Sequence, residues 1–194
     1  MQDTCSQLAV LLQHTNVAVK LQCLSLVIRD SPLDSTCVDN LRTCLSGTRN
    51  LTQLSLDVCS EDACVQQLFP SLLHLTKLQD FSLAISGEPD AYVVSLRRAA
   101  ALSLGLGSMH ELRQLRLEGL SFCAGCLEQH LAPMLAEIVN LTLLHLNCGE
   151  SEVGSSVSAL ETWLCGHQNL CKLVTGPWYI DEPSAGKLSG MTPA

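Results

Sequence analysis

One short spacing constrains this chain more than any other feature. The stretch Asn50-Leu51-Thr52-Gln53-Leu54-Ser55-Leu56 returns almost letter for letter as Asn140-Leu141-Thr142-Leu143-Leu144-His145-Leu146. The same Leu-x-x-Leu-x-Leu spacing recurs at Leu21, Leu24 and Leu26, at Leu78, Phe81 and Leu83, and at Leu112, Leu115 and Leu117. A frayed sixth copy holds Leu170 and Leu173, with Thr175 in third place. First positions at 21, 51, 78, 112, 141 and 170 are separated by steps of 30, 27, 34, 29 and 29 residues.

The last two apolar residues of each copy are two apart, so they point to the same side of a strand. The first enters from the turn before it. A strand this short cannot bury such a set alone. Stacked in a parallel sheet, each copy adds one side chain to several continuous apolar columns. The residues between copies must return along the outside, and they read as helices. Cys37, Leu41, Cys44 and Leu45 recur at helical spacing, as do Cys126, Leu127, His130, Leu131, Met134, Leu135 and Ile138, and then Val153, Val157, Leu160 and Leu164. The expected fold is therefore α/β: a leucine-rich-repeat solenoid with parallel strands on the concave face and helices on the convex face. It has about five full repeats and partial terminal units.

No Pro/Gly/Ser-rich linker interrupts the repeats, so residues 1–180 are expected to form one solenoid. Residues 1–15 read as the helix of an incomplete first repeat, with Cys5, Leu8, Leu11 and Leu12 on one face. No polar cap precedes them, which fits a piece of a longer solenoid. Unit one places a strand near Lys20 to Val27 and a helix near Ser35 to Leu45, with Gly47 as C-cap. In unit two Ser60 caps a helix that Pro70 should kink or split. In unit three Pro89 and Asp90 start a helix running through Tyr92, Val93, Leu96, Ala99 and Ala100 towards Leu106. Gly105-Leu106-Gly107 reads as its end, and Gly166 closes the helix that carries Trp163. Trp178, Tyr179 and Ile180 (within residues 176–180) read as a lid over the last strand, and residues 181–194 as a disordered tail.

Hydrophobic residues make up 47% and charged residues 15%, which suits a chain burying both strand and helix faces. Net charge is -8 without a basic block, so neither nucleic acid nor a membrane surface is an expected partner. No secretory signal or spanning segment is visible. Cys37, Cys44, Cys126 and Cys165, four of the 11 cysteines, sit where a small hydrophobe would serve. Buried free thiols, and hence the cytoplasm, are the expectation.

The step length with long helices resembles the ribonuclease-inhibitor type of leucine-rich repeat. Within that type, residues 81 to 127 resemble the carboxy-terminal repeats of NLR innate-immune receptors, those of the NAIP and CARD-containing group. The likeness lies in Pro89-Asp90, Leu96-Arg97-Arg98, Leu112-Arg113-Gln114-Leu115-Arg116-Leu117-Glu118-Gly119 and Phe122. Repeats of this type place Asn or Cys eight residues after the first leucine. Here Arg29, Cys59, Ser86, Leu120 and Gly149 occupy those positions, so irregular turns are expected. The resemblance implies a ligand-sensing or autoinhibitory interaction module, acting on another protein or on upstream domains of the same receptor. A ubiquitin-ligase substrate adaptor and a secreted ligand-binding ectodomain are the alternatives.

No nucleophile, metal or phosphate motif is present, so no enzyme, cofactor or metal is expected. Cys123-Ala124-Gly125-Cys126 has CxxC spacing but no second pair, and reads as helix packing. Cys59 and Cys64 read as a turn cysteine and a helix cysteine. His74, His110 and His167 fall near helix ends. Asn50-Leu51-Thr52 and Asn140-Leu141-Thr142 match the glycosylation sequon but arise from the repeat itself. What remains is the exposed sheet face, where Asp57, Asp80, Arg113, Arg116, Glu118 and His145 are the candidate protein-binding residues.

Overall fold

The structure, a computed structural model, describes residues 18–28, 35–59, 65–86, 93–94, 96–122, 126–147 and 169–175. The elements in chain order begin with β1 (Cys23–Ile28), α1 (Ser35–Gly47), β2 (Gln53–Cys59), and a 3-10 turn (Val65–Leu68) running into α2 (Phe69–Leu72). They continue with β3 (Asp80–Ser86), β4 (Val93–Val94), α3 (Leu96–Gly107), β5 (Gln114–Glu118) and β6 (Ser121–Phe122). A π turn (Leu127–Leu131), α4 (Ala132–Glu137), β7 (Leu143–Asn147) and β8 (Lys172–Thr175) complete them.

Six strands form one parallel sheet in the order β1-β2-β3-β5-β7-β8. Its register aligns Leu24, Leu54, Phe81, Leu115, Leu144 and Leu173 in one column and Leu26, Leu56, Leu83, Leu117, Leu146 and Thr175 in the next. These are the repeats read from the spacing, and the chain is a leucine-rich-repeat α/β solenoid. From Leu51 to Leu146 the column side chains are buried in one continuous core, which also holds Val38, Leu41 and Leu45 of α1 and Ala99, Leu102 and Leu106 of α3. Leu21, Leu24, Leu26, Leu170 and Leu173, in the first and sixth copies, are only partly buried.

A further column, absent from the sequence reading, lies three residues before each first leucine. Ala18, Thr48, Leu75, Met109 and Ile138 are all buried there. Each carbonyl accepts the N–H of the leucine three residues on, which turns the chain from helix to strand. Thr48 is tolerated because its hydroxyl donates to the Leu45 carbonyl at 3.0 Å.

The units are joined by a regular ladder. The carbonyls of Gln22, Thr52, Gln79, Arg113 and Thr142 each accept two N–H groups of the following unit, at 2.8 and 3.0 Å. The recurring Asn-Leu-Thr reinforces it. Asn50 Nδ2 donates to the Val19 carbonyl at 2.8 Å, and Asn140 and Asn169 do the same to His110 and Val139 at 2.9 Å. Thr52 and Thr142 donate to the Gln22 and Arg113 carbonyls at 3.0 Å. The Asn side chain and the Thr hydroxyl thus each tie the unit to a backbone carbonyl one repeat away, which is a physical reason for the tripeptide to recur. Asn140→Ala and Thr142→Val are each expected to lower stability by about 1 kcal/mol, seen as a lower denaturant midpoint at unchanged slope. A shift no larger than that of Thr76→Ala, at an exposed turn position, would show that the clamps contribute nothing.

The helical side is less regular. Pro70 falls at the start of α2 and splits unit two's helical segment, as expected. Pro133 does the same in unit four, where α4 follows a π turn. In both, proline lacks the N–H and crowds the carbonyl four residues back, so the preceding turn leaves α geometry.

α1 ends at Gly47, as expected, and without left-handed backbone there: among the described residues only Gly119 is a glycine with positive φ. Two expectations are corrected. Val93 lies in β4, paired in parallel with β6, and not in the unit-three helix, which begins at Leu96. Unit one's strand starts at Cys23, not near Lys20. The expectation of irregular turns falls, after β1, β2, β3 and β7, on residues outside those described; the turn leaving β5 holds Gly119 with positive φ. The readings of residues 1–15, Ser60, Pro89, Asp90, residues 153–166, residues 176–180 and residues 181–194 lie outside the described residues.

Candidate functional site

Strand alternation leaves every second side chain on the sheet face opposite the leucines. The register arranges these side chains in three rows. The first reads Cys23, Gln53, Asp80, Gln114, Leu143, Lys172; the second Ser25, Ser55, Ser82, Arg116, His145, Val174; the third Val27, Asp57, Ala84, Glu118, Asn147. Over the first five strands these are the rows that the Leu-x-x-Leu-x-Leu spacing implies.

Small side chains in the second row leave a shallow groove of about 320 Å³ across the first four strands of the sheet. Ser25, Ser55, Ser82, Gln53, Asp80 and Arg116 line it. Of the six candidate residues, the structure brings four together. Asp80 and Arg116 share the groove, and His145 stands beside Arg116 in the same row. His145 Nδ1 lies 3.4 Å from Glu118 Oε1, a contact that becomes an ion pair only when the imidazole is protonated. Asp57 sits in the third row, separated from Glu118 by Ala84, and does not line the groove. Arg113 is exposed at the rim just before β5, where its carbonyl serves the inter-unit ladder.

The role of Gln114 was not anticipated. Its Oε1 accepts from Arg116 Nη2 at 3.1 Å and orients the guanidinium over the groove. The two residues are two apart on one strand and therefore share a face, which is the signal that could have found this contact. Among the described residues no ion pair within 4.0 Å joins Asp80 to Arg116, so the two face one groove without a bridge.

The cysteines depart from expectation. Cys37 and Cys126 are each disulfide-bonded, not free, although Cys126 is fully buried on its helical segment as its spacing implied. Cys23, Cys44, Cys59 and Cys171 are free. Burial pushes the Cys44 thiol above its ordinary pKa, with a backbone hydrogen bond acting weakly the other way. Brief alkylation of the native protein is expected to label the exposed Cys23 and Cys171 and to spare Cys44 until the chain unfolds. Labelling of Cys44 at the rate of Cys23 would contradict its burial. His74 and His110 are exposed just beyond α2 and α3, as expected, while Cys64, Cys123, Cys165 and His167 lie outside the described residues. Among the described residues, no three His, Cys, Asp or Glu side chains gather as metal ligands, and no helix is long and apolar enough to cross a membrane.

Ladder, columns and outward rows together define a repeat solenoid presenting one sheet face. No family model and no curated protein matches the chain. Among solved structures it is similar to an internalin, inlF of Listeria monocytogenes str. 4b F2365, at 12% identity and a TM-score of 0.23. That alignment covers 97% of this chain and 93% of the internalin chain. A likeness this distant carries no weight, and the assignment of the fold rests on the strand register.

Proposed function

We propose that this chain is a protein–protein interaction module whose working surface is the sheet face opposite the leucine core, with units four and five as its charged centre. The observation that carries this reading is the continuity of the three outward rows over neighbouring strands. The second row changes from Ser25, Ser55 and Ser82 in units one to three to Arg116 and His145 in units four and five, with Asp57, Asp80 and Glu118 in the rows on either side. A rigid sheet holds such groups in fixed relation, as recognition by directional contacts requires. In its finer form the module is the ligand-sensing or autoinhibitory region of an NLR-like receptor. The resemblance of residues 81–127 to that group supports this form, in which the module would work in the cytoplasm and without catalysis.

The disulfides of Cys37 and Cys126 favour a second reading, a secreted ligand-binding ectodomain, because such bonds persist in oxidising compartments. Two measurements separate these possibilities. Photo-crosslinking side chains at positions 55 and 145 should capture the partner, while those at 43 and 104 on α1 and α3 should not; capture from the helices alone would overturn the binding face. Thiols trapped at the moment of cell lysis decide the compartment. Cys37 and Cys126 alkylated as free thiols would support the receptor, and their recovery as disulfides would support the ectodomain.

A further inference from the structure

Among the described residues lining the groove only Arg116 is cationic, and it lies half-buried there. Its hydrogen bond goes to the neutral amide of Gln114, and no carboxylate of the described residues approaches it within 4.0 Å. One edge of the guanidinium is thereby oriented while the rest of its donor fork has no acid to meet. His145 follows Arg116 directly in the second row and is turned to Glu118, and Lys172 ends the first row two strands on. Arg116 is thus a cation without a carboxylate of the described residues against it, on a chain whose net charge is -8. On the other side the floor is the hydroxyl row of Ser25, Ser55 and Ser82, with Asp80 beside it.

The groove crosses three inter-strand steps of about 4.8 Å, which gives room for roughly four residues of extended chain. We propose that it receives an extended segment of a partner protein, lying across the strands, whose internal aspartate or glutamate side chain is held by Arg116. A guanidinium already fixed on one nitrogen loses little further freedom when it grips a carboxylate, and charge-assisted bonds of this type are the strong ones. Asp80 repels the acid from the serine end of the groove and accepts N–H groups of the segment, which sets its direction. A chain terminus fits less well. Terminal carboxylates are captured by clustered backbone N–H groups, and here the sheet ladder uses those groups.

This inference rests on the sheet face being the binding surface, and the test separates the two. Pools of acetylated, amidated decapeptides with randomised neutral residues and a fixed central Glu or Gln are equilibrated with the full chain, and retained peptide is measured. The wild type is expected to retain the Glu pool about tenfold over the Gln pool. Arg116→Met should abolish the preference. Arg116→Lys, which keeps the charge without the fork, should lose most of it and serves if the methionine variant fails to fold. Ser82→Leu fills the groove floor and should retain neither pool. Equal retention of both pools by the wild type, lost in Ser82→Leu, would overturn the acidic segment and leave the binding face standing. Retention that requires a free C-terminus would also overturn the proposal. Retention of neither pool, or retention indifferent to Ser82→Leu, would overturn the acidic segment and count against the face as well.

Discussion

Gly119→Ala is expected to unfold at a much lower denaturant concentration than the wild type. Gly119 follows β5 with φ 72°, where an L residue pays about 1–2 kcal/mol for left-handed backbone. An added Cβ would fall 1.9 Å from the Ile85 carbonyl oxygen, a contact that no rotamer relieves because both atoms belong to the backbone framework. The Gly119 N–H also donates to the Asn147 carbonyl at 2.9 Å, so the turn is wedged between β3 and β7 and cannot retreat freely. A total loss of about 3 kcal/mol or more follows. Gly107→Ala is the control. Its Cβ would meet only the flexible Glu137 carboxylate at 3.4 Å, and the substitution should be close to neutral. Equal stability of Gly119→Ala and wild type would mean that this turn does not have the conformation described.

Phe81→Ala should have a comparable effect for a different reason. Phe81 is fully buried in the third strand of the sheet, between Leu54 and Leu115 in the same column. Truncation leaves a cavity flanked by rigid strands, and a loss of about 3–5 kcal/mol is expected in urea unfolding. Phe81→Leu restores the residue type of every neighbour in that column and should lose less than about 2 kcal/mol. Each unit of a solenoid is stabilised chiefly by its neighbours, so the alanine variant should also broaden the transition as the two ends uncouple. A loss for alanine no greater than that for leucine would contradict the stacked column.

Much of this architecture was legible in the sequence because strand and register share one rule. Once Leu54 and Leu56 are assigned inward, Gln53, Ser55 and Asp57 must face out, and a step near 30 residues brings Ser55 beside Ser25 and Ser82. The helical side obeys weaker rules. Val93 and Val94 have the residue type of either a helix face or a strand, and only their pairing with Ser121 and Phe122 decides the matter. Pro133 carried the same information as Pro70 but sat within a more continuous apolar pattern. The disulfides of Cys37 and Cys126 could not be read from spacing, since a cysteine on an apolar helix face packs alike in either redox state.

The candidate face divides in the same way. The rows and their charged centre follow from periodicity, as does the neighbourhood of Arg116 and His145. The groove depends on three serines being small at once, and the hold of Gln114 on Arg116 depends on rotamers that no periodic pattern specifies.

The central claim is that six strands lie in register in one parallel sheet, and spin labels at Val27 and Asn147 test it most directly. Both positions are exposed and share the third row, four strand steps apart, so their backbones should lie roughly 19 Å from each other. A narrow distance distribution consistent with that separation, together with a clearly shorter one between positions 27 and 84, is the predicted result. A broad distribution, or labels at 27 and 147 closer together than those at 27 and 84, would contradict the stacked sheet and the binding face built on it.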